Sequence, residues 1–276
     1  MKDYQFLDSG LGKKLEKFGP YVLCRPSAQA FWRPSAPKSL WEKADAVFDR
    51  EKKNAWKGDL PEFWQISLEN LTFKLSTTDF GHLGIFPEHA HFWSRMQKQI
   101  EKAKRPVSVL NLFGYSGGAT LAAAKKGAKV CHVDASKGMI AWAKENASLN
   151  HLLDHPIRWI ADDALKFMKR EIRRGQKYDM VILDPPTFGR GTQGEVFKIE
   201  TDIQPLLEMT IQLLTQEPLM ILFSCHTPGF TPLVMHHLLQ QHAAPLQGKI
   251  ESGEMQIQGK NTLPLPCGSY ALWETS

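Results

Sequence analysis

Three glycines fall within five positions in Asn111-Leu112-Phe113-Gly114-Tyr115-Ser116-Gly117-Gly118. With no Cβ, glycine lets the main chain turn tightly and approach a ligand closely. Asp134 follows 20 residues after Gly114, at the end of a second strand, a position from which an acid accepts hydrogen bonds from a ribose. A pyrophosphate-bearing dinucleotide requires G-x-G-x-x-G to bring its phosphates onto a helix N-terminus, whereas the spacing here is G-x-x-G-G. The pattern points to an adenosine-containing ligand with a carboxylate in place of phosphates, and it disfavours a dinucleotide oxidoreductase. A structural glycine turn beside a capping aspartate is the alternative reading of the loop alone.

A second group of residues is Asp184-Pro185-Pro186-Thr187-Phe188. Consecutive prolines fix φ and remove two amide donors, leaving the Asp184 carboxylate and the Pro185 carbonyl as rigid acceptors. Phe188 adds a flat apolar surface nearby. Cys225 closes the apolar run Leu219 to Ser224; it is either a nucleophile or a small buried hydrophobe. Cys24, Cys131 and Cys267 are read as structural. The four cysteines form no CxxC pair or zinc spacing, and His236-His237 diverge on a helix with no third ligand, so no metal is expected.

The elements that must carry these residues alternate. Val107 to Phe113 reads as a strand, Ala119 to Lys126 as a helix and Lys129 to Val133 as a strand. The series continues through a helix at Ser136 to Asn146, a strand at Ile157 to Ile160, a helix at Ala164 to Arg174 and a strand at Met180 to Leu183. A helix at Ile203 to Leu214, a strand at Leu219 to Ser224 and a helix at Leu233 to Gln241 follow. Such alternation builds a mostly parallel sheet with helices on both faces. Two strands then come in succession, Lys249 to Ile257 and Ser269 to Trp273, so the far edge is expected to be antiparallel. Before Pro106 the chain reads as short extended pieces, with a hairpin across Glu69-Asn70 between Trp64 and Leu75.

With these motifs in order, the chain resembles the class I S-adenosylmethionine-dependent methyltransferases. Over roughly residues 60 to 276 it is most similar to the bacterial large-subunit rRNA cytosine-C5 methyltransferase family and its uncharacterised relatives. The likeness runs through Gly81-His82-Leu83-Gly84-Ile85-Phe86-Pro87-Glu88, Asp162-Asp163-Ala164-Leu165-Lys166-Phe167, Lys177-Tyr178-Asp179 and Phe223-Ser224-Cys225. Ile85-Phe86-Pro87-Glu88-His89 stands where that family has L-D-Q-R, and the expectation is a chain without the family's PUA domain. The implied fold is α/β, a Rossmann-like doubly wound methyltransferase sheet with an antiparallel last strand, plus a small N-terminal β-rich region. The implied division is residues 1–97 and 98–276.

The resemblance implies that S-adenosyl-L-methionine is held by Asn111, Phe113, Gly114, Gly117, Gly118, Asp134, Ala135, Asp163 and Asp184. In it the glycines surround the methionine part, Asp134 meets the ribose, and Asp163 the adenine amino group, with Asp162 as a neighbouring alternative. It further implies that Pro185, Pro186 and Phe188 hold a substrate base and that Cys225 and Asp184 are catalytic, Cys225 attacking C6 of a cytosine in ribosomal RNA. The alternatives are nitrogen methylation of guanine or another base through Asp-Pro-Pro without a cysteine, or a cofactor- or RNA-binding protein without catalysis.

Composition sets the outer bounds. The chain has 276 residues, 42% hydrophobic and 23% charged, enough to build a large core and incompatible with a wholly disordered chain. No apolar run approaches a membrane span and the start lacks a signal-peptide block, so a cytoplasmic protein is expected. The net charge of +5 is compatible with RNA. Lys166 to Lys177 carries six cations against Glu171 on one helical side, ordinarily a solvated face. Lys2, Lys13, Lys14 and Lys17 with Phe18, and Arg25, Arg33 and Lys38 with Phe31 and Trp32, interleave charge and aromatics as single-strand RNA binders do. The same aromatics would equally serve as the core of the N-terminal region.

Overall fold

The computed structural model describes residues 3–50, 55–191 and 194–275. Lys2 and part of the charged stretch from Glu42 to Lys57 lie outside the described residues. The chain divides into two compact units, Met1–Ala90 with Gln256–Cys267, and His91–Met255 with Gly268–Ser276. Among the described residues no helix is long and apolar enough to cross a membrane.

In the first unit, β1 (Tyr4–Gly10), β2 (Lys13–Phe18), β3 (Tyr21–Pro26), β4 (Ala46–Phe48) and β5 (Trp56–Gly58) form a five-stranded sheet in that order, with a one-turn helix α1 (Lys38–Trp41) before β4. The expected hairpin is present as β6 (Trp64–Leu68) and β7 (Leu71–Leu75), which pair antiparallel. Glu69 and Asn70 both adopt positive φ, 48° and 61°, the mirror-image turn whose twist matches the flanking strands. Alternate residues of both strands are buried. Of the two readings of the N-terminal aromatics, Phe18 follows the core reading: it is fully buried. Arg25 is buried too, and its guanidinium donates to the Glu16 carboxylate. Neither is available to stack on or neutralise RNA, whereas Phe31 is 87% exposed.

The second unit begins within α2 (Ala90–Ala103), a helix the sequence reading did not anticipate. Its buried face carries Phe92, Trp93, Met96 and Ile100, a spacing of about one helical turn. There follow β8 (Ser108–Leu112), α3 (Gly118–Ala124), β9 (Lys129–Asp134), α4 (Lys137–Leu149), β10 (Ile157–Ala161), α5 (Ala164–Arg173) and β11 (Met180–Leu183). The short strands β12 (Phe188–Arg190) and β13 (Val196–Lys198) come next, then α6 (Ile199–Gln212), β14 (Met220–Cys225), α7 (Pro232–Ala243), β15 (Lys249–Ile257) and β16 (Leu265–Glu274). α6 starts four residues before the expected Ile203, and the Asp202 carboxylate caps it by accepting the Lys198 N–H at 2.7 Å.

The sheet order is β10-β9-β8-β11-β14-β16-β15. The first five strands are parallel, and β16 runs antiparallel to β14. All residues of β11 and β14 are buried, as expected of central parallel strands covered on both faces. The chain runs outward from β8 through β9 to β10, then returns to the other side of β8 at β11. That reversal opens a crevice beyond the carboxyl ends of β8 and β11, where open α/β sheets bind ligands.

Candidate active site

The loop after β8 is strained and pinned at several points. Phe113 and Tyr115 have φ of 57° and 49°, and Gly117 has φ of 94°. Positive φ in two side-chain-bearing residues costs free energy and persists only where surrounding contacts enforce it. Those contacts are visible. Gly114 N–H donates to the Val133 carbonyl, Gly117 N–H to the Gly114 carbonyl, and Asn146 Nδ2 to the Ser116 carbonyl, all at 2.9–3.0 Å.

Two of the three glycines answer to the protein's own packing. A β-carbon on Gly114 would collide with the His132 ring, and one on Gly118 would lie 2.5 Å from Trp93 Cζ2. Gly117 supplies the left-handed turn into α3. Beneath them, Asn111 Nδ2 donates to Thr120 Oγ1 at 2.9 Å, and Thr120 Oγ1 lies 2.8 Å from His132 Nδ1. Asn111 is therefore turned inward as part of the loop's footing, so any ligand contact at this position falls to its main chain. Burial pushes the His132 pKa down to about 3, so this ring is a neutral strut. The Phe113 ring packs against Phe197, with centroids 5.2 Å apart.

Asp134 ends β9, and its two carboxylate oxygens accept the Tyr115 N–H at 2.9 Å and the Ser136 N–H at 2.8 Å. Burial raises its pKa, and these two amides work against that rise. Ala135 follows, half-buried. After β10, Asp162 and Asp163 take different parts. Asp162 is tied to the Arg170 guanidinium and accepts the Asp163 N–H. Asp163 caps α5 by accepting the Lys166 N–H at 2.9 Å, which leaves its second oxygen for another donor.

At the end of β11, Asp184 Oδ1 accepts from Ser224 Oγ at 2.7 Å, with His226 Nε2 3.8 Å away. Pro185 is buried and Pro186 exposed. Thr187 and Thr227 join through their hydroxyls at 2.7 Å, tying this loop to the one after β14. Phe188 is 50% exposed, with the Arg190 guanidinium 5.8 Å from its ring centroid. Ser224 and His226 were not singled out from the sequence. The signal was period-two alternation in β14: neighbours face opposite sides, so only one of Ser224 and Cys225 shares a side with Asp184.

That residue is Ser224. Cys225 lies in the apolar cluster with Phe223, Met235 and Ala271, 1% exposed. Its sulfur accepts the Thr227 N–H at 3.4 Å. Burial pushes the thiol pKa up, against the Thr227 hydrogen bonds, and the Asp184 charge adds to the rise.

One sheet edge thus combines a strained glycine loop, two aspartates on flanking strands and an Asp-Pro-Pro platform. A family profile described as S-adenosylmethionine-dependent methyltransferase matches residues 44–244, and the chain belongs to that family, whose methyl donor is S-adenosyl-L-methionine. The donor set suits such a group: the Asp134 and Asp163 carboxylates offer acceptors for hydroxyl and amino hydrogens. A SAM-dependent methyltransferase structure from Agrobacterium tumefaciens is 40% identical with a TM-score of 0.95, covering 99% of this chain and 91% of that one. The ribosomal RNA large subunit methyltransferase K/L of Shewanella sp. (strain MR-4) is 38% identical over 146 residues, 52% of this chain. The chain covers about a fifth of the length of that curated relative and of others like it, 20% for the Shewanella protein. A methyltransferase solved in complex with SAH shares the fold, at 20% identity and a TM-score of 0.70 over 98% of this chain and 75% of that one.

Proposed function

We propose that this protein transfers a methyl group from S-adenosylmethionine to a nitrogen of an RNA base, with ribosomal RNA as the substrate class. The observation that carries the reading is Asp184, fixed by Ser224 and by the prolines after it, beside a half-exposed Phe188. When bound, S-adenosylmethionine supplies an electrophilic methyl group. The residues of this chain supply position. Asp134 accepts from the ribose hydroxyls, Asp163 from the adenine amino group, and the main chain of Asn111 to Gly118, together with Ala135, lines the remainder. Asp184 accepts the N–H of the target base and holds it by that edge, the nitrogen giving up its proton to solvent on methylation, and the Phe188 ring stacks on its face. The Ser224 hydroxyl keeps the carboxylate from rotating away, and Pro185 and Pro186 stiffen the main chain that carries it. A base within a helix must leave its stack to reach such a platform. The name of the Shewanella relative supports ribosomal RNA as substrate. In this reading the second unit, His91–Met255 with Gly268–Ser276, carries the chemistry and the N-terminal unit engages the substrate.

A second reading is methylation of cytosine C5, with Cys225 attacking C6. The Thr227 N–H on the Cys225 sulfur favours it, because a donor there stabilises a thiolate. The burial of that sulfur is why nitrogen is preferred. The test is nucleoside mass spectrometry of ribosomal RNA from deletion and parent strains, followed by restoration with purified protein and labelled S-adenosylmethionine. One methylated base should vanish in the deletion and return on the nitrogen of a purine or cytosine. Return of label at cytosine C5 would replace the nitrogen reading. Unchanged RNA would remove both.

A further inference from the structure

The basic run on α5 has no part in the site just described. Lys166, Lys169, Arg170 and Arg173 stand at positions i, i+3, i+4 and i+7, within one side of the helix. They border a groove of about 560 Å³ between α5 and α6, floored by Ile172 and Met209. Lys166 pairs with Glu195 at 3.1 Å and Arg170 with Asp162. Lys169 and Arg173 are exposed and, among the described residues, have no acidic partner. A solvated face that served only solubility would interleave acids with its cations, and the one acid of α5, Glu171, is fully buried beneath Arg158 and Tyr178.

The placement of this groove connects it to the site. α5 starts at the Asp163 cap, on the edge where β10 ends, and Lys166 to Arg173 extends about 10 Å away from that edge at 1.5 Å per residue. Glu195, which Lys166 grips, lies opposite Gly191 at the end of the β12–β13 ladder away from Phe188. The cations therefore form a ridge that starts one turn beyond the Asp163 cap, meets the far end of the β12–β13 hairpin and runs down the side of the domain. We propose that the α5–α6 groove docks the phosphodiester backbone of the RNA whose base enters the site, Lys169 and Arg173 each meeting a phosphate and Ile172 and Met209 meeting sugar or base faces. The inference rests on the RNA reading given above. Charge complementarity selects the occupant: a polyanion satisfies two cations that, among the described residues, have no acidic partner.

The experiment measures binding of bulk ribosomal RNA to the full chain across a salt series, with calorimetry of S-adenosylmethionine and a melting curve alongside. Lys169→Gln/Arg173→Gln should weaken RNA binding on the order of tenfold at low salt. The salt slope should become shallower by about 1.4, at roughly 0.7 per lost single-strand phosphate contact. Cofactor affinity and melting temperature should stay as in the parent. Lys129→Gln/Lys144→Gln, an equal charge change on exposed positions elsewhere in the same unit, should leave RNA binding within twofold, set against that roughly tenfold loss. Equal weakening by both pairs, or an unchanged slope in the α5 pair, overturns the groove, the latter leaving an acidic protein as its occupant. If the parent protein binds no RNA even at low salt, the RNA reading itself fails and takes the groove with it.

Discussion

Strand β11 carries an aspartate at each end, and the two are treated in opposite ways. Asp179, just before it, is 4% exposed and accepts from the Ser108 N–H, Ser108 Oγ, Arg105 Nη1 and Thr215 Oγ1 at 2.7–3.1 Å. Burial alone would raise its pKa, but the Ser108 and Arg105 contacts outweigh it and hold the carboxyl below its ordinary value. Asp184, just after the strand, has a side chain 23% exposed beside Ser224 and His226. One edge of the sheet directs its acid's acceptors into the fold. The other holds a part-exposed acid against Ser224, beside a loop that bears positive φ at Phe113 and Tyr115. In the function proposed above, stability and chemistry are thus segregated to opposite ends of the same four residues.

Exchanging the two phenotypes would break this comparison, and it carries the largest expected effects. Asp184→Ala should cut methyl transfer roughly 10²–10³-fold, the usual consequence of removing a fixed polar group at a reacting centre, with little change in melting temperature. Asp179→Ala should instead cost about 1–3 kcal/mol of stability, since it removes the acceptor of the Ser108 N–H. The folded pKa of Asp179 is depressed, so its contribution is fully present above the ordinary carboxyl range and fades as pH falls through the depressed value. Denaturant titrations of parent and variant should therefore converge in acid. Curves that stay parallel down to that range would show that Asp179 contributes through packing instead of charge.

A smaller effect is expected at Asp134, which belongs to the chemical edge although two amides already hold it. Losing a charge-assisted hydrogen bond costs ~1.5–3 kcal/mol, so Asp134→Ala should weaken S-adenosylmethionine roughly ten- to a hundredfold. Calorimetry returning the parent affinity would place Asp134 with Asp179, as an acid that serves the fold.

Much of this division was legible in the sequence, for identifiable reasons. Alternating β and α patterns gave the sheet, and punctuation by Gly114, Gly117, Asp134 and Pro185 marked the edge, because strand-end loops need turn residues whose types are distinctive. The reason for Gly114 and Gly118 was not legible. Their close neighbours, His132 and Trp93, are distant in the chain and meet them only in the fold. The orientation of Cys225 was half legible: alternation separated it from Ser224, and only the position of Asp184 decided which of the two faced the site. α2 was lost among the prolines and tryptophans of the N-terminal region, though Phe92, Trp93, Met96 and Ile100 carried its period.

The finest contrast on the chemical edge is between Ser224 and Cys225, and the smallest effect is expected there. Below its raised pKa the thiol forms thiolate tenfold more for each pH unit, so alkylation of Cys225 by iodoacetamide should be slow at neutral pH and climb with that slope. Cys225→Ala removes a small buried group, costing on the order of 1 kcal/mol of packing, and should retain most methyl transfer. A nitrogen nucleophile held by Asp184 already carries its own lone pair and needs no covalent activation. Carbon methylation differs: without attack at C6, cytosine C5 is too poor a nucleophile. RNA carrying 5-fluorocytidine distinguishes the two directly, since fluorine cannot leave as the C5 proton does and a covalent adduct would accumulate. The expected result is no adduct on the parent protein and an active alanine variant. An adduct on the parent, with an alanine variant that binds S-adenosylmethionine and melts normally yet transfers no methyl group, would move Cys225 from the core to the chemistry.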